Sequence, residues 1–298
     1  MSDALVIAGP TASGKSAAAL SLAARLGGEI VNADAMQVYA DLRILTARPS
    51  FADEAEMPHH LYGVSPGDDP WSAGRFARAA ATEIEEITAR GRLPIIVGGT
   101  GLWLKALTEG LSPMPEISDA IMARAAARLE EAGMEGFREE LLTRDLHMEW
   151  LEPNDRQRHL RAWAVHEATG TPLSEWQKRP PEKVTSAEFR KAALIPPREL
   201  SHEAVRRRLD EMIEEGALAE VEALLAKGYA AELPVMKAVG VPEFARHLAG
   251  EASLEAAIEK VVIATRQLVK RQSTWLNNQF AEWERAESPD GLIRLFMV

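Results

Sequence analysis

Residues Gly9 to Ser16, "GPTASGKS", fit the pattern G-x-x-x-x-G-K-[ST] between an apolar run and a helical one. Gly9 and Gly14 let backbone N–H groups turn inward, and the start of the following helix adds its dipole. Lys15 neutralises phosphate oxygens, and the Ser16 hydroxyl is suited to hold Mg²⁺. The loop therefore grips a diphosphate or a triphosphate. Read alone, it points to a P-loop kinase of a nucleotide or other small metabolite, or to an RNA-binding protein that uses nucleotide as a switch.

A triphosphatase of this kind needs an Asp at the end of a second buried strand to help hold its metal. The obvious strand, "LPIIV", ends instead in "GGTG", residues 98–101. Gly98, Gly99 and Thr100 offer close backbone approach and one hydroxyl, which suits contact with a phosphate or a base, or simply a turn. The acid lies elsewhere, in "EIVNADAMQVY", where Asp34 follows another apolar run. At a strand's carboxyl end it could be a metal ligand, a general base or the cap of the next helix, and position alone does not choose.

Three basic clusters stand out in a chain of net charge −11. In "PNDRQRHLRAW", Gln157, Arg158 and Arg161 share one helix face by their i,i+3 and i,i+4 spacing. "RRRLD" places Arg206, Arg207 and Arg208 near a helix start, and "ATRQLVKRQSTW" aligns Arg266 and Lys270, flanked by Gln267 and Arg271, toward Trp275. Any one stripe reads as a solvated face. Three without neighbouring acids point to a polyanion, and Gln, Arg and Trp together suit an RNA loop with splayed bases. His59 and His60 are adjacent and lack a further ligand, so they read as structural. Trp150, Trp163 and Trp176 read as core.

The elements that must position these groups form an α/β pattern. "ALVIAG", "GEIVNAD", "LPIIVGG" and, after a long interval, "KAALIPP" read as strands of one parallel sheet flanked by helices, with ligands at their carboxyl ends. Helices are expected over "KSAAALSLAARL", from Ser72 to Gly91, from Ser201 to Gly216, over "ALAEVEALLAKG" and from about Ser253 to Asn278. The Pro-rich "LSPMPEIS" opens an all-helical insertion at 113–189 within a catalytic core of 1–112 and 190–298. Zero cysteines exclude disulfides, thiolate zinc and cysteine nucleophiles. With no long apolar run and no signal segment the chain is expected to be cytoplasmic, with no membrane partner, and no dimer signal stands against a monomer.

Taken together, these residues resemble the tRNA dimethylallyltransferase (tRNA isopentenyltransferase) family of bacterial type. "GPTASGKS", "NADAMQVYADLRILTARP", "PHHL", "WSAGRFARAA", "PIIVGGTGLWLKAL", "PNDRQRHLRAWAVHEATGTPLSE", "RRRLDEMIEEGALAEVEALL", "KAVGVPEF" and "ATRQLVKRQSTWL" follow that family's motifs in order, nearly end to end. The resemblance implies a P-loop NTPase-like core that moves a dimethylallyl group from dimethylallyl diphosphate to N6 of the adenosine 3′ of the anticodon. The tRNAs would be those reading codons that start with U, no ATP is consumed, and the helical insertion grips the anticodon stem-loop.

Carried over residue by residue, Gly9, Pro10, Thr11, Ala12, Ser13, Gly14, Lys15 and Ser16 would bind the diphosphate, with Mg²⁺ at Ser16. Asp34 would be the general base, Thr100 would sit where the two substrates meet, and Arg208 would assist the leaving group. The tRNA would touch Asp34, Ala35, Met36 and Gln37, then Thr100 and Met122, then Gln157, Arg158, His159, Leu160 and Arg161. A last tRNA contact would run over Lys237, Ala238, Val239, Gly240, Val241 and Pro242. Met122 stands where relatives often carry Arg, with Arg124 near enough to substitute. The zinc-finger extension of eukaryotic relatives is absent from this cysteine-free chain.

Overall fold

Strands covered by helices on both faces are apolar along most of their length, and "ALVIA" and "LPIIV" behave accordingly, while "GEIVN" buries two polar side chains, Glu29 and Asn32. The structure, a computed structural model, describes residues 3–297. It divides into two compact units: Glu109–Lys183, and the segments before and after it.

The larger unit begins with β1 (Ala4–Ala8), α1 (Lys15–Leu26), β2 (Gly28–Asn32), α2 (Phe51–Glu56), β3 (His59–His60), α3 (Ala73–Ala89), β4 (Leu93–Gly98) and α4 (Gly101–Thr108). The smaller unit supplies α5 (Asp119–Arg144), α6 (Arg156–Thr169) and α7 (Leu173–Gln177). The larger unit then resumes with β5 (Phe189–Leu194), α8 (Arg198–Glu214), α9 (Ala217–Leu225) and α10 (Val241–Leu248). It ends with α11 (Leu254–Gln279), β6 (Glu284–Ala286) and α12 (Pro289–Met297).

The sheet order is β3-β2-β4-β1-β5-β6, and every pairing is parallel. Strand alternation sorts the core into two layers. Ala4, Val6, Ala8, Val31 and Ile96 face Phe76 and Ile84 of α3, Leu104 of α4 and Val261 of α11. Leu5, Ile7, Ile30, Ile95 and Val97 face Leu22 of α1 and Phe296 of α12. Since β1, β2 and β4 are neighbours, their carboxyl ends bring the phosphate loop, Asp34 and the 98–100 turn to one edge. This is the α/β, P-loop NTPase-like core that the sequence implies.

The observed elements differ from expectation in three places. Strands β3 and β6 are only two and three residues long, too short for a periodic signal. Helix α8 begins at Arg198 rather than after Ser201, because Ser201 is not a cap: it is buried, and its hydroxyl donates to the Pro197 carbonyl one turn back. The helical unit ends at Lys183 rather than 189, because Val184 and Ala187 pack on the larger unit's core and Asp3 N donates to Glu188 O.

The helical unit has its own core, built on Leu129, Phe137, Leu141 and Trp163. Trp176 packs against it, but Trp150, expected inside, is 57% exposed. No helix among the described residues is long and apolar enough to cross a membrane.

Candidate active site

The phosphate loop joins β1 to α1 through two left-handed residues, Ala12 (φ 62°) and Gly14 (φ 87°). Gly14 stands at the N-cap of α1 and no side chain caps it, so the helix's first N–H groups are left for a ligand. Gly9 admits no side chain, since a Cβ there would lie 2.8 Å from Ser13 Oγ and 2.9 Å from Leu194 O. Ser13 Oγ is buried and has no hydrogen-bond partner among the described residues. Lys15 Nζ donates to Pro10 O at 3.3 Å. Burial pulls the pKa of Lys15 down to about 8; the Asp34 carboxylate opposes the shift and the Arg208 guanidinium adds to it.

Asp34 is held from below and from the side. Buried Asn32 accepts from Asp34 N at 2.7 Å and donates to Asp34 O and Leu61 O. The Asp34 Oδ1 accepts from Met36 N at 3.0 Å, and a turn follows rather than a helix, so the capping alternative falls away. Thr100 Oγ1 accepts from Ala35 N at 2.9 Å. Gly98 has the Ala33 backbone directly against it, with no room for a Cβ, which lets the ends of β2 and β4 close to that distance.

A cavity of about 260 Å³ opens beside this edge. Thr11, Ala12, Asp34 and Arg208 line it together with apolar Val205, Leu209, Met212, Val261 and Leu268. Charged and apolar side chains share one cavity wall. Arg208 is half-buried; burial lowers its pKa from the ordinary arginine value while Asp34 holds it up. Met36, Lys237, Ala238, Val239 and Arg271 also line the cavity, whereas Thr100 does not.

The remaining residues of interest fall into several environments. Gln37 is anchored inward, its Nε2 donating to Thr46 O and Ala47 O. Gly240 and Val241 are buried at the start of α10, where Glu243 accepts from Gly240 N, and Pro242 is exposed. In the helical unit, Gln157 and Arg158 are exposed, Leu160 packs on the core, and His159 is wholly buried. A solvent-facing role for His159 is therefore excluded in this conformation. Arg161 is half-buried and donates to Pro115 O. Met122 packs on the same core, and Arg124 is bound to Glu167 at 2.6 Å.

The basic clusters are less free than their sequence suggests. Arg206 pairs with Asp210 and Glu259, Arg207 with Glu211, and Arg158 with Asp155. The three arginines at 206–208 also lie in the middle of α8, which starts at Arg198, and not near its beginning. His60 is structural as expected, bridging Glu29 and Glu83.

Sequence reasoning missed Gln272. Its Oε1 accepts from Thr11 N and Thr11 Oγ1, and its Nε2 donates to Gly99 O, so α11 clamps the phosphate loop to the β4 turn. The nearest signal was the 266–271 stripe that ends just before it, which concerned charge rather than this amide.

A magnesium ion fits this donor set only in company. No group of three His, Cys, Asp or Glu that could hold a metal exists among the described residues. Exposed Ser16 offers one hydroxyl, which suits an ion that keeps several waters and takes its other ligands from phosphate oxygens.

Comparisons with known proteins identify the family. The family described as IPP transferase matches residues 37–279, and that described as isopentenyl transferase matches 2–62. The chain is 49% identical over 281 residues to a tRNA dimethylallyltransferase of Parvibaculum lavamentivorans, covering 94% of this chain and 90% of that one. It is 48% identical over 296 residues to a protein of the same name from Phenylobacterium zucineum, with 98% and 96% covered. A crystal structure of a tRNA isopentenylpyrophosphate transferase from Bacillus halodurans superposes with a TM-score of 0.69 at 29% identity, over 99% of this chain and 94% of that one. A eukaryotic dimethylallyltransferase acting on tRNA superposes with a TM-score of 0.76 at 28% identity, over 92% and 69%.

Proposed function

The chain belongs to the IPP transferase family and transfers a dimethylallyl group to tRNA, and we propose a mechanism from the side chains that line its cavity. The comparisons do not favour a P-loop kinase. The donor is dimethylallyl diphosphate, with its diphosphate on Gly9–Ser16 and its five-carbon chain against Val205, Leu209, Met212 and Val261. The acceptor is N6 of the adenosine 3′ of the anticodon, which must leave its stack to reach Asp34.

In this mechanism N6 attacks the first carbon of the prenyl group, the N–C bond forming as the C–O bond breaks. The electron pair of the C–O bond leaves with pyrophosphate, so the site's first task is to hold growing negative charge. Lys15 and Arg208 do this, with backbone N–H groups at the start of α1. The amine proton passes to Asp34, whose carboxylate accepts from Met36 N and whose backbone is held by Asn32, which accepts from Asp34 N and donates to Asp34 O. Ser16 would hold Mg²⁺ together with the diphosphate, and the ion would add to the neutralisation of the leaving group. Thr100 acts through Ala35, fixing the turn that carries Asp34.

For the tRNA itself, exposed Gln157 and Arg158 of α6 would face the anticodon stem-loop, with His159 supporting them from within the core. Lys237 to Val239 would meet the flipped base at the cavity wall. The enzyme would act in the cytoplasm, as a monomer.

The observation that carries this reading is the cavity wall itself, where the Asp34 carboxylate and the Arg208 guanidinium stand beside the phosphate loop and apolar side chains such as Val205, Leu209, Met212 and Val261 make up most of the rest, with Lys237 and Arg271 as further cations. The test is incubation with unmodified tRNA and dimethylallyl diphosphate, followed by mass analysis of the anticodon-loop adenosine. A gain of one dimethylallyl group without ATP supports the reading; no gain, or a requirement for ATP, refutes it.

A further inference from the structure

We infer that Arg48 is a second guanidinium for the donor, holding the outer phosphate of its diphosphate in a pocket that opens beside Ser16. The inference rests on the assignment of the phosphate loop to a diphosphate.

A second cavity, of about 110 Å³, is lined by Ser16, Arg48, Asp53, His59, Tyr62 and Arg208 among others. Arg208 also lines the larger cavity, so it stands between the two, next to the phosphate loop. An anion that met Arg208 from the prenyl side would present its far oxygens to the smaller pocket.

The condition of Arg48 is what points to an absent anion. Its side chain is only 7% exposed. Nε has no hydrogen-bond partner among the described residues. Nη1 reaches the carbonyls of Tyr39 and Ala40 at 3.3 and 3.4 Å, the long end of the range. Nη2 lies 3.9 Å from Glu54, a carboxylate that Arg43 binds more closely at 3.1 Å. A buried guanidinium so poorly matched is costly unless an anion completes it. Burial lowers its pKa, with Arg43 adding to the shift and Glu54 opposing it.

The local backbone holds this arrangement rather than relaxing it. Ala47, just before Arg48, has a left-handed φ of 50°, unusual for a residue with a side chain. Gln37 fixes that segment through Thr46 O and Ala47 O. The guanidinium lies against Gly63, where any Cβ would overlap it.

The other groups facing the pocket are compatible with an anion. The Asp53 carboxylate is occupied as the capping box of α2, accepting from Ser50 N and Ser50 Oγ at 2.8 and 2.7 Å. Burial pushes the Tyr62 phenol up, so it stays a donor. His59 is held by Met57 O at 2.7 Å, and burial lowers its pKa. Two guanidiniums and two hydroxyls thus outweigh one engaged carboxylate.

The test compares binding of pyrophosphate and of orthophosphate by calorimetry for the full chain, Arg48→Gln, Arg48→Lys and Lys15→Ala, with a thermal melt of each. Loss of charge-assisted hydrogen bonds should weaken pyrophosphate binding in Arg48→Gln by roughly 10- to 100-fold and leave orthophosphate almost unaffected. Arg48→Lys should fall between, and this variant reads out the same preference should Arg48→Gln fail to fold. Equal weakening for both anions would mark Arg48 as merely structural and overturn the inference. Unchanged pyrophosphate affinity in Arg48→Gln alongside its loss in Lys15→Ala refutes the role of Arg48 alone. Unchanged affinity in both refutes the diphosphate loop, and the inference with it.

Discussion

Gln272 Oε1 accepts from the backbone N–H of Thr11 at 2.8 Å, while its Nε2 donates to Gly99 O at 3.1 Å. One side chain of α11 therefore ties the phosphate loop of β1 to the turn after β4. A cradle for phosphate works only if its N–H groups are already aimed, and this amide is the brace that aims them.

Replacing Gln272 with Leu keeps the bulk and removes the brace, leaving Thr11 N–H unpaired. The lost bonds should cost about 1–3 kcal/mol, read as a raised KM for dimethylallyl diphosphate and a lower Tm. The KM for tRNA should move less. Gln272→Glu keeps the acceptor for Thr11 but repels Gly99 O, so its effect should be intermediate. A donor KM unchanged in Gln272→Leu would show that the loop is rigid without α11.

Lys15 sets a pH limit. Because burial places its pKa at about 8, the free enzyme loses this cation as pH rises through that value. Since kcat/KM reports the free enzyme, kcat/KM for the donor should fall above pH 8, and Lys15→Arg should move that limb upward. Stability runs the other way. Between about 8 and the ordinary 10.5 the unfolded chain binds more protons at this position than the folded one, so this group makes stability rise with pH there. Lys15→Met should remove that rise, measurable as the slope of Tm against pH.

Asp34→Asn separates proton transfer from positioning. The new amide oxygen still accepts from Met36 N, so the turn should persist, but the side chain no longer takes a proton. The expected loss in kcat is about 10²- to 10⁴-fold, with both KM values nearly unchanged and Tm within a few degrees. Single-turnover kinetics measures it. Retained activity would move the base elsewhere in the cavity.

Much of this arrangement was legible because its parts are local. Strands β1 and β4 are apolar runs and β2 carries a short one at Ile30–Val31, and the phosphate loop, Asp34 and Gly98–Thr100 each sit directly at a strand end, so the parallel topology alone gathers them. What stayed hidden depends on contacts between distant segments. The Arg206–Glu259 pair joins α8 to α11, and no reading of the 206–208 cluster by itself could show that acid. Gln272 lies 261 residues from Thr11. Strand β3 exists as a strand only through its pairing with β2 and carries no apolar alternation.

Gly98 and Gly136 test whether the strand ends must meet. A Cβ at Gly98 would enter the Ala33 carbonyl, and backbone at the end of a buried strand has nowhere to move. Gly98→Ala should therefore push apart the ends of β2 and β4 and displace Asp34. Loss of prenyl transfer together with a large fall in Tm is expected. Gly136 lies within α5, where a Cβ would meet only Ala132 Cβ at 3.5 Å, an ordinary contact. Gly136→Ala should stabilise the helical unit by about 0.5–1 kcal/mol through helix propensity, with transfer activity intact. The pair of variants, followed by thermal melts and tRNA prenylation, distinguishes a glycine required by close approach from one that is merely tolerated. A Gly98→Ala enzyme with normal activity would show that Asp34 keeps its place without the contact between β2 and β4.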